Sequence, residues 1–105
     1  MEKQELKKYA HNLISKINYT NKLIIFGLSY CGYTIKAKEF AIKKRISFKY
    51  IEIDDKYNIF FKILSVANLL NPSLDINLNH NTFPIIFYNN KFIGGYDDLI
   101  LFSEL

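Results

Sequence analysis

Residues 22–44 (KLIIFGLSYCGYTIKAKEFAIKK) pass from a short apolar run into a helical pattern through a single cysteine. The run at residues 22–27 is rich in β-branched and aromatic side chains, which predicts a buried strand. From Gly32 onward, apolar residues recur at the spacing of one helix face. Cys31 therefore lies at a strand-to-helix junction.

The regions on both sides of this stretch extend the alternation of helices and strands. Upstream, an apolar stripe at helical spacing predicts an amphipathic helix: Leu6, Tyr9, Ala10, Leu13, Ile14 and Ile17. Downstream, the pattern of residues 47–53 (SFKYIEI) would place alternate side chains on opposite faces of an extended chain, which predicts a second strand. Asp54 and Asp55 then mark a helix start. Residues 57–70 (YNIFFKILSVANLL) predict a third helix, which Pro72 brings to an end.

The sequence of the last third of the chain predicts a loop followed by a hairpin. Residues 71–81 (NPSLDINLNHN) have no regular period and are expected to form a loop with room for a helical turn. Residues 85–88 and 91–93 flank Asn89-Asn90, and asparagine tolerates the positive φ of a two-residue hairpin turn.

A final short helix completes the order. Asp97 or Asp98 can cap it, and we expect it to run through Leu105. The order is then α, β, α, β, α, β, β, α. A strand, a crossover helix and a strand imply a parallel pair, and the hairpin adds an antiparallel pair. The expected fold class is α/β, with a mixed four-stranded sheet flanked by helices.

Composition limits the possible classes of protein. With 105 residues, we expect residues 1–105 to form a single domain, and a hydrophobic content of 50% argues against a disordered chain. One cysteine excludes an intramolecular disulfide, and His11 and His80 scarcely provide a zinc site. The net charge of +4 is modest, and the apolar runs are short, so we expect neither a nucleic-acid partner nor a membrane partner.

The position of Cys31 supports two interpretations. Unpaired backbone N–H groups at a helix start favour a thiolate, which can act as a nucleophile. A lone cysteine is also commonly a small, inert core hydrophobe. Residues 82–84 (TFP) precede the third strand, where a proline can be cis, and residues 94–98 (GGYDD) offer close backbone approach and carboxylates. These two segments favour the reactive interpretation.

Together the motifs resemble those of the glutaredoxin family, which has the thioredoxin fold. The family's active-site C-P-Y-C or C-G-F-S is matched by C-G-Y-T at residues 31–34. Its T-V-P is matched at residues 82–84, and its G-G-x-x-D at residues 94–98. The resemblance extends over residues 21–102 and implies a thioredoxin-like fold.

The resemblance also implies a glutathione site. The residues implied in binding are Tyr33, Thr82, Phe83, Pro84, Gly95, Tyr96 and Asp97. Tyr33 would line the groove, and the backbone of Phe83 before a cis-Pro84 would pair with the cysteinyl part of glutathione. Tyr96 and Asp97 would hold the γ-glutamyl end.

The implied catalytic pair is Cys31 and Thr34. Thr34 stands where a dithiol glutaredoxin has its second cysteine, and the chain has no other thiol. Any turnover must therefore be monothiol: Cys31 accepts the glutathionyl group, and a second glutathione removes it as oxidised glutathione. We expect the Thr34 hydroxyl to donate to the Cys31 thiolate, to cap the helix, or to do both.

The glycine after the cysteine, Gly32, resembles the C-G-F-S branch of the family. Members of that branch bridge a [2Fe-2S] cluster between two subunits, each of which supplies one cysteine and one glutathione. Cys31 would be a metal ligand only in that case. That branch usually carries extra residues between the first strand and the cysteine, and residues 27–30 leave no room for them. The loop therefore resembles the oxidoreductase branch.

Two positions that are often basic in the family are neutral in this chain. Leu28 stands where a lysine commonly supports the thiolate and binds the glycyl carboxylate of glutathione, and Asn81 replaces a basic residue before the T-V-P motif. We expect weaker glutathione binding, unless Lys36 or Lys62 compensates.

The resulting hypothesis is a glutathione-dependent monothiol thiol-disulfide oxidoreductase that removes glutathionyl groups through Cys31. The alternatives are a glutathione-ligated [2Fe-2S] carrier dimer that serves apo iron-sulfur proteins, and a non-catalytic binding module. The expected partners are glutathione and glutathionylated proteins, and the chain is expected to be a monomer unless a cluster bridges two copies. One reduced cysteine and the absence of a targeting pattern favour the cytoplasm, with an organelle as the alternative.

Overall fold

The computed structural model describes residues 3–19 and 23–102. Its helices are α1 (Lys3–Tyr19), α2 (Gly32–Lys43), α3 (Phe60–Leu70) and α4 (Tyr96–Leu101). Its strands are β1 (Leu23–Gly27), β2 (Phe48–Glu52), β3 (Ile85–Tyr88) and β4 (Lys91–Gly94). Single 3-10 turns lie at Asp54–Lys56 and Pro72–Leu74. In these ranges no helix is long and apolar enough to cross a membrane.

The four strands form one mixed sheet in the order β2-β1-β3-β4. β1 and β2 are parallel, whereas β3 is antiparallel to both β1 and β4. Asn89 and Asn90 form the hairpin turn with φ of 52° and 68°, which asparagine tolerates. The predicted order of elements and the thioredoxin-like fold class are both confirmed.

Two helix boundaries differ from the prediction. α3 begins at Phe60 rather than at residue 57, because the 3-10 turn at Asp54–Lys56 directs the Ile59 N–H to the Lys56 carbonyl. α4 ends at Leu101, since Phe102 already has extended backbone angles. The predicted helix through Leu105 is therefore wrong at residue 102, and residues 103–105 lie outside the described ranges. The loop at residues 71–81 contains the helical turn for which the sequence left room.

The sheet separates two hydrophobic clusters, because alternate residues of a strand point to opposite faces. Ile24 and Phe26 of β1 face the cluster that α1 and α3 cover. Leu23 and Ile25 face the cluster that α2 and α4 cover. β1 is buried along its whole length, so it is the central support of both layers of helices.

The junction between β1 and α2 is tightly packed. Gly27 and Thr34 are both buried, and a Cβ placed on Gly27 would lie 2.6 Å from Thr34 Oγ1 and 3.1 Å from its Cβ. Because the nearest atoms include the root of a β-branched side chain, the clash cannot be relieved by rotation about χ1. Glycine at residue 27 therefore lets the first turn of α2 pack against the end of β1.

We expect Gly27→Ala to lower the free energy of unfolding by about 1–3 kcal/mol, since the added methyl overpacks this junction. Urea denaturation of the purified variant measures the change. Gly32→Ala is the matched control, because a Cβ at this exposed helical position meets no atom within 4 Å. It should leave stability within about 0.5 kcal/mol of wild type or raise it. Equal stability of the two variants would contradict the packing argument.

Candidate functional site

Cys31 occupies the N-cap position of α2, with φ of −87° and ψ of 121°. Its N–H donates to the Leu28 carbonyl at 3.1 Å, and its carbonyl accepts from the Ile35 N–H at 3.2 Å. The side chain is only partly buried. The residue therefore lies at the end of the helix where backbone N–H groups lack partners within the helix, and its side chain also packs against the core cluster under α1 and α3.

The segment of residues 82–84 lies against the cysteine. The Phe83–Pro84 peptide bond is cis, as the sequence allows. The Cys31 Sγ–H donates to the Phe83 carbonyl oxygen at 3.7 Å. The Phe83 ring packs against Phe60 and Phe61 of α3, with centroid separations of 6.1 Å and 5.2 Å. α3 thus anchors the peptide segment that faces the sulfur.

Thr34 is fully buried beside Gly27. Its hydroxyl accepts a hydrogen bond from the Leu28 N–H at 3.4 Å. Within the described ranges, the hydroxyl does not bond to the Cys31 sulfur, and no side-chain hydrogen bond caps α2. Neither predicted contact of Thr34 is found, because the side chain is buried against Gly27 and Leu28 rather than directed at the sulfur.

A cleft of about 270 Å³ lies beside residues 82–84. Six of the seven predicted binding residues line it: Tyr33, Thr82, Phe83, Gly95, Tyr96 and Asp97. Pro84 is the exception, since it is buried. The structure therefore brings together residues from α2, from the loop before β3 and from the start of α4.

Aromatic rings form one wall of the cleft. The Tyr33 and Tyr96 rings are 6.0 Å apart between centroids. The Lys36 ammonium lies 5.2 Å from the centroid of the Tyr33 ring, which places a positive charge beside this wall. Neither Lys36 nor Lys62 lines the cleft, but Lys36 is the better placed of the two, because its ammonium contacts the Tyr33 ring, which does line it.

Asp97 and Asp98, which are neighbours at the start of α4, have different surroundings. The Asp98 carboxylate accepts a hydrogen bond from the Gly95 N–H at 2.9 Å, so Asp98 caps the helix as predicted. Gly94 has φ of 124°, and a Cβ there would clash with the Asp98 side chain. Asp97 is exposed at the edge of the cleft, where its carboxylate can meet a ligand.

Two polar side chains at the site were not assigned a site role from the sequence. The Asp54 carboxylate accepts hydrogen bonds from the Ser29 N–H, at 2.8 Å, and from the Ser29 hydroxyl. His80 lines the cleft, and its Nε2 lies 2.8 Å from the Thr82 carbonyl oxygen. Asp54 lies 25 residues from Ser29, so only the fold reveals that contact.

Tyr50 of β2 lies close enough to Asp54 and Cys31 for their charges to act on its hydroxyl. Burial raises the pKa of the Tyr50 phenol, and the negative charges of Glu52, Asp54 and Cys31 raise it further. The hydroxyl is buried and has no hydrogen-bond partner in the structure as described. The phenol therefore stays protonated at neutral pH, while the Lys38 ammonium lies 4.0 Å above its ring.

Comparison with known proteins agrees with this geometry. The glutaredoxin family model matches residues 23–93. A probable glutaredoxin of Acanthamoeba polyphaga mimivirus is 28% identical over 99 residues, which cover 92% of this chain and 93% of that protein. Glutaredoxin 1 of Rickettsia bellii is 36% identical over 77 residues, which cover 73% of this chain and 71% of that protein.

Solved structures show the same fold at lower identity. The crystal structure of a buckwheat glutaredoxin-glutathione complex has a TM-score of 0.73 and 23% identity, and covers 96% of this chain and 84% of that one. The holo form of glutaredoxin C1 from Populus tremula x tremuloides has a TM-score of 0.67 and 23% identity, with 94% and 81% covered. Since the family model spans most of the chain and the sheet, the cis proline and the cysteine at the start of α2 agree with it, this chain belongs to the glutaredoxin family.

Proposed function

We propose that this chain is a glutathione-dependent monothiol oxidoreductase that removes glutathionyl groups through Cys31. Its family supports thiol-disulfide oxidoreductase chemistry in general. The observation that carries the proposal is the position of the Cys31 sulfur, 3.7 Å from the Phe83 carbonyl oxygen and at the N-terminus of α2. The buckwheat relative of the same fold is a complex with glutathione, which supports this choice of co-substrate.

Glutathione would lie extended along residues 82–84. The Phe83 backbone would pair with the cysteinyl part, because an extended peptide binds a strand-like segment through main-chain hydrogen bonds. Asp97 would accept the γ-glutamyl ammonium, since Asp98 is already committed to the Gly95 N–H. Tyr33 and Tyr96 would cover the ligand from the α2 side.

The reaction proceeds in two exchanges. The Cys31 thiolate attacks the glutathionyl sulfur of a mixed disulfide, a new sulfur–sulfur bond forms, and the substrate leaves as a thiolate that takes up a proton. A glutathione thiolate then attacks the same glutathionyl sulfur. Oxidised glutathione leaves, and the Cys31 thiolate is restored. Electrons balance, because one glutathione is oxidised for each substrate thiol that is released.

A cluster-carrying role is not supported by the side chains of one chain. A [2Fe-2S] cluster is ordinarily held by four cysteine thiolates, and this chain has a single cysteine. The described ranges also contain no group of three or more His, Cys, Asp or Glu side chains that could hold a metal ion. A cluster would therefore require two copies and two glutathione molecules, and because residues 27–30 leave no room for the longer loop of that branch, we propose the monomer as the active form.

We expect Cys31→Ser to lower turnover of a glutathionylated substrate at least about a hundredfold, because it removes the nucleophile. The measurement is a coupled assay with glutathione and glutathione reductase. In a single turnover without free glutathione, the wild-type protein should retain one glutathionyl group on Cys31, as mass spectrometry would show. An inactive wild-type protein would support the non-catalytic module instead. A brown, anaerobically purified dimer with visible absorbance would contradict the proposed monomer.

Thr34→Val tests whether the Thr34 hydroxyl is structural. Valine keeps the packing against Gly27 but leaves the buried Leu28 N–H unpaired, so we expect a loss of about 1–3 kcal/mol in unfolding free energy. Turnover below the melting transition should stay within about twofold of wild type. Thr34→Ser, which keeps the hydroxyl, is the control. A large fall in kcat for the folded valine variant would instead assign the hydroxyl to catalysis.

Lys36→Gln tests the proposed compensating charge. Removing the ammonium beside the Tyr33 ring should raise KM for glutathione by about threefold and leave kcat nearly unchanged, the size expected for an exposed ion pair. Lys43→Gln removes the same charge from the exposed last turn of α2 and is the matched control. If KM for glutathione rises equally in both variants, net charge rather than Lys36 controls binding.

A further inference from the structure

An apolar groove lies between α2 and α4, at the end of α2 that is remote from the sulfur. Its volume is about 300 Å³, and five residues line it: Phe40, Lys44, Ile46, Ile100 and Phe102. Four of the five are apolar, and each of these four is at least partly exposed to solvent. We call this feature the α2–α4 groove. It lies at the ends of both helices, whereas the cleft beside residues 82–84 is lined by residues at their starts.

The walls of the α2–α4 groove are held in place by the fold. The Phe102 ring packs edge-on against Tyr88 of β3, with a centroid separation of 5.2 Å. Phe40 and Ile46 both pack against the hydrophobic cluster under α2 and α4. The Ile46 N–H donates to the Ala41 carbonyl at 2.9 Å, which fixes the turn that follows α2. The walls are therefore ordered before any ligand binds.

Three consecutive cations, Lys43, Lys44 and Arg45, end α2 beside the groove. The Lys44 ammonium lies 5.9 Å from the centroid of the Phe40 ring, so a positive charge stands at the apolar wall. In the part of the chain that the structure describes, none of the three makes a salt bridge. The acidic side chains of α4 are in its first turn, at the other end of that helix. The apolar surface is therefore bordered by unmatched positive charge.

Arg45 has a backbone conformation that is unusual for its side chain. It follows Lys44, the C-cap of α2, and its φ is 58°, in the left-handed region. Helices commonly end with one residue in this conformation, and that residue is usually glycine, because a Cβ is strained there. The helix macrodipole favours a cation in the last turn, which Lys43 already supplies. Arginine at the strained position therefore indicates a use for the guanidinium that the fold itself does not provide.

We propose that the α2–α4 groove binds a short acidic segment of a partner protein. The segment inserts apolar side chains against the Phe40 and Phe102 rings and pairs its carboxylates with Lys44 and Arg45. A protein segment fits this surface better than a nucleic acid, because nucleic acids are held mainly through phosphate oxygens, which do not bind apolar walls.

The partner binds at a distance from the nucleophile. α2 has 12 residues, and an α-helix rises about 1.5 Å per residue, so roughly 18 Å separate the groove from Cys31 along the helix. A partner in the groove therefore leaves the sulfur free. The groove is a docking surface that acts in addition to the thiol site.

Binding of synthetic peptide pools to the full chain tests the proposal. All pools carry randomised Leu, Ile, Phe and Met at the same positions and differ only in the flanking residues, which are Glu, Gln or Lys. We expect the Glu pool to be retained about tenfold more strongly than the Gln pool, the size of a few exposed ion pairs, and the Lys pool not to be retained. In NMR spectra, a retained Glu peptide should shift the backbone amide signals of the groove residues and leave those of Thr82 and Phe83 unchanged.

Matched variants separate the groove from other parts of the surface. Ile100→Gln removes an apolar wall and should weaken binding of a retained Glu peptide about tenfold. Leu101→Gln is its control and should not, since Leu101 is 80% exposed and does not line the groove. Lys44→Gln should weaken binding about threefold, whereas Lys7→Gln, which removes the same charge from exposed α1, should not.

Arg45→Gly gives a readout that a purely structural role of this residue would not produce. It should raise the melting temperature, because glycine adopts a φ of 58° without strain. It should also weaken binding of the Glu peptide about threefold, because the guanidinium is lost. A variant that is more stable but binds less tightly cannot owe its lower affinity to unfolding.

Equal retention of the three pools, or amide shifts only outside the groove, would overturn the inference. So would Glu-peptide binding that Ile100→Gln and Lys44→Gln leave unchanged. An oligonucleotide that binds more tightly than the Glu peptides, and depends on Lys44 but not on Ile100, would assign the surface to nucleic acid instead. Binding only after deletion of residues 103–105 would assign the groove to the chain's own end, which also contradicts the inference. The assay does not use Cys31, so its result is independent of the proposed function.

Discussion

The close approach of Gly27 to Thr34 is the constraint on which the site depends. It brings the first turn of α2 onto the end of the fully buried strand β1, and so places Cys31 where the helix N-terminus faces solvent. The Leu28 N–H, which the turn would otherwise leave unpaired, donates to the Thr34 hydroxyl. The position that holds the second cysteine in dithiol relatives is thus used here for packing and for a backbone hydrogen bond.

The opposite side of the site is held by a separate part of the core. The Phe83 ring lies between the peptide segment and α3, and the adjacent Pro84 is buried. Cys31 and Phe83 both pack against the cluster that α1 and α3 cover. They meet although they are 52 positions apart, because Cys31 follows the end of β1, Phe83 precedes the start of β3, and the antiparallel pairing of Phe26 with Ile85 places these two ends side by side.

The sequence predicted those features that depend on local chemistry. The strand-to-helix junction at Cys31, the positive φ of the asparagine turn and the cap at Asp98 follow from residue types at short spacing. The partner of the Thr34 hydroxyl could not be predicted, because it depends on how closely two elements pack. The contact of Asp54 with Ser29, 25 residues away, is of the same kind, whereas His80 contacts Thr82 only two residues along a loop without a regular period.

The two hydrogen bonds from Ser29 to Asp54 tie the loop before Cys31 to the segment that follows β2. Both donors belong to the loop that leads into Cys31, and the acceptor follows a different strand. This loop is thus ordered by folding, and its conformational entropy is lost before any partner arrives. Under the proposed function, a partner that docks at Cys31 would therefore meet a loop whose backbone is already tied to the end of β2.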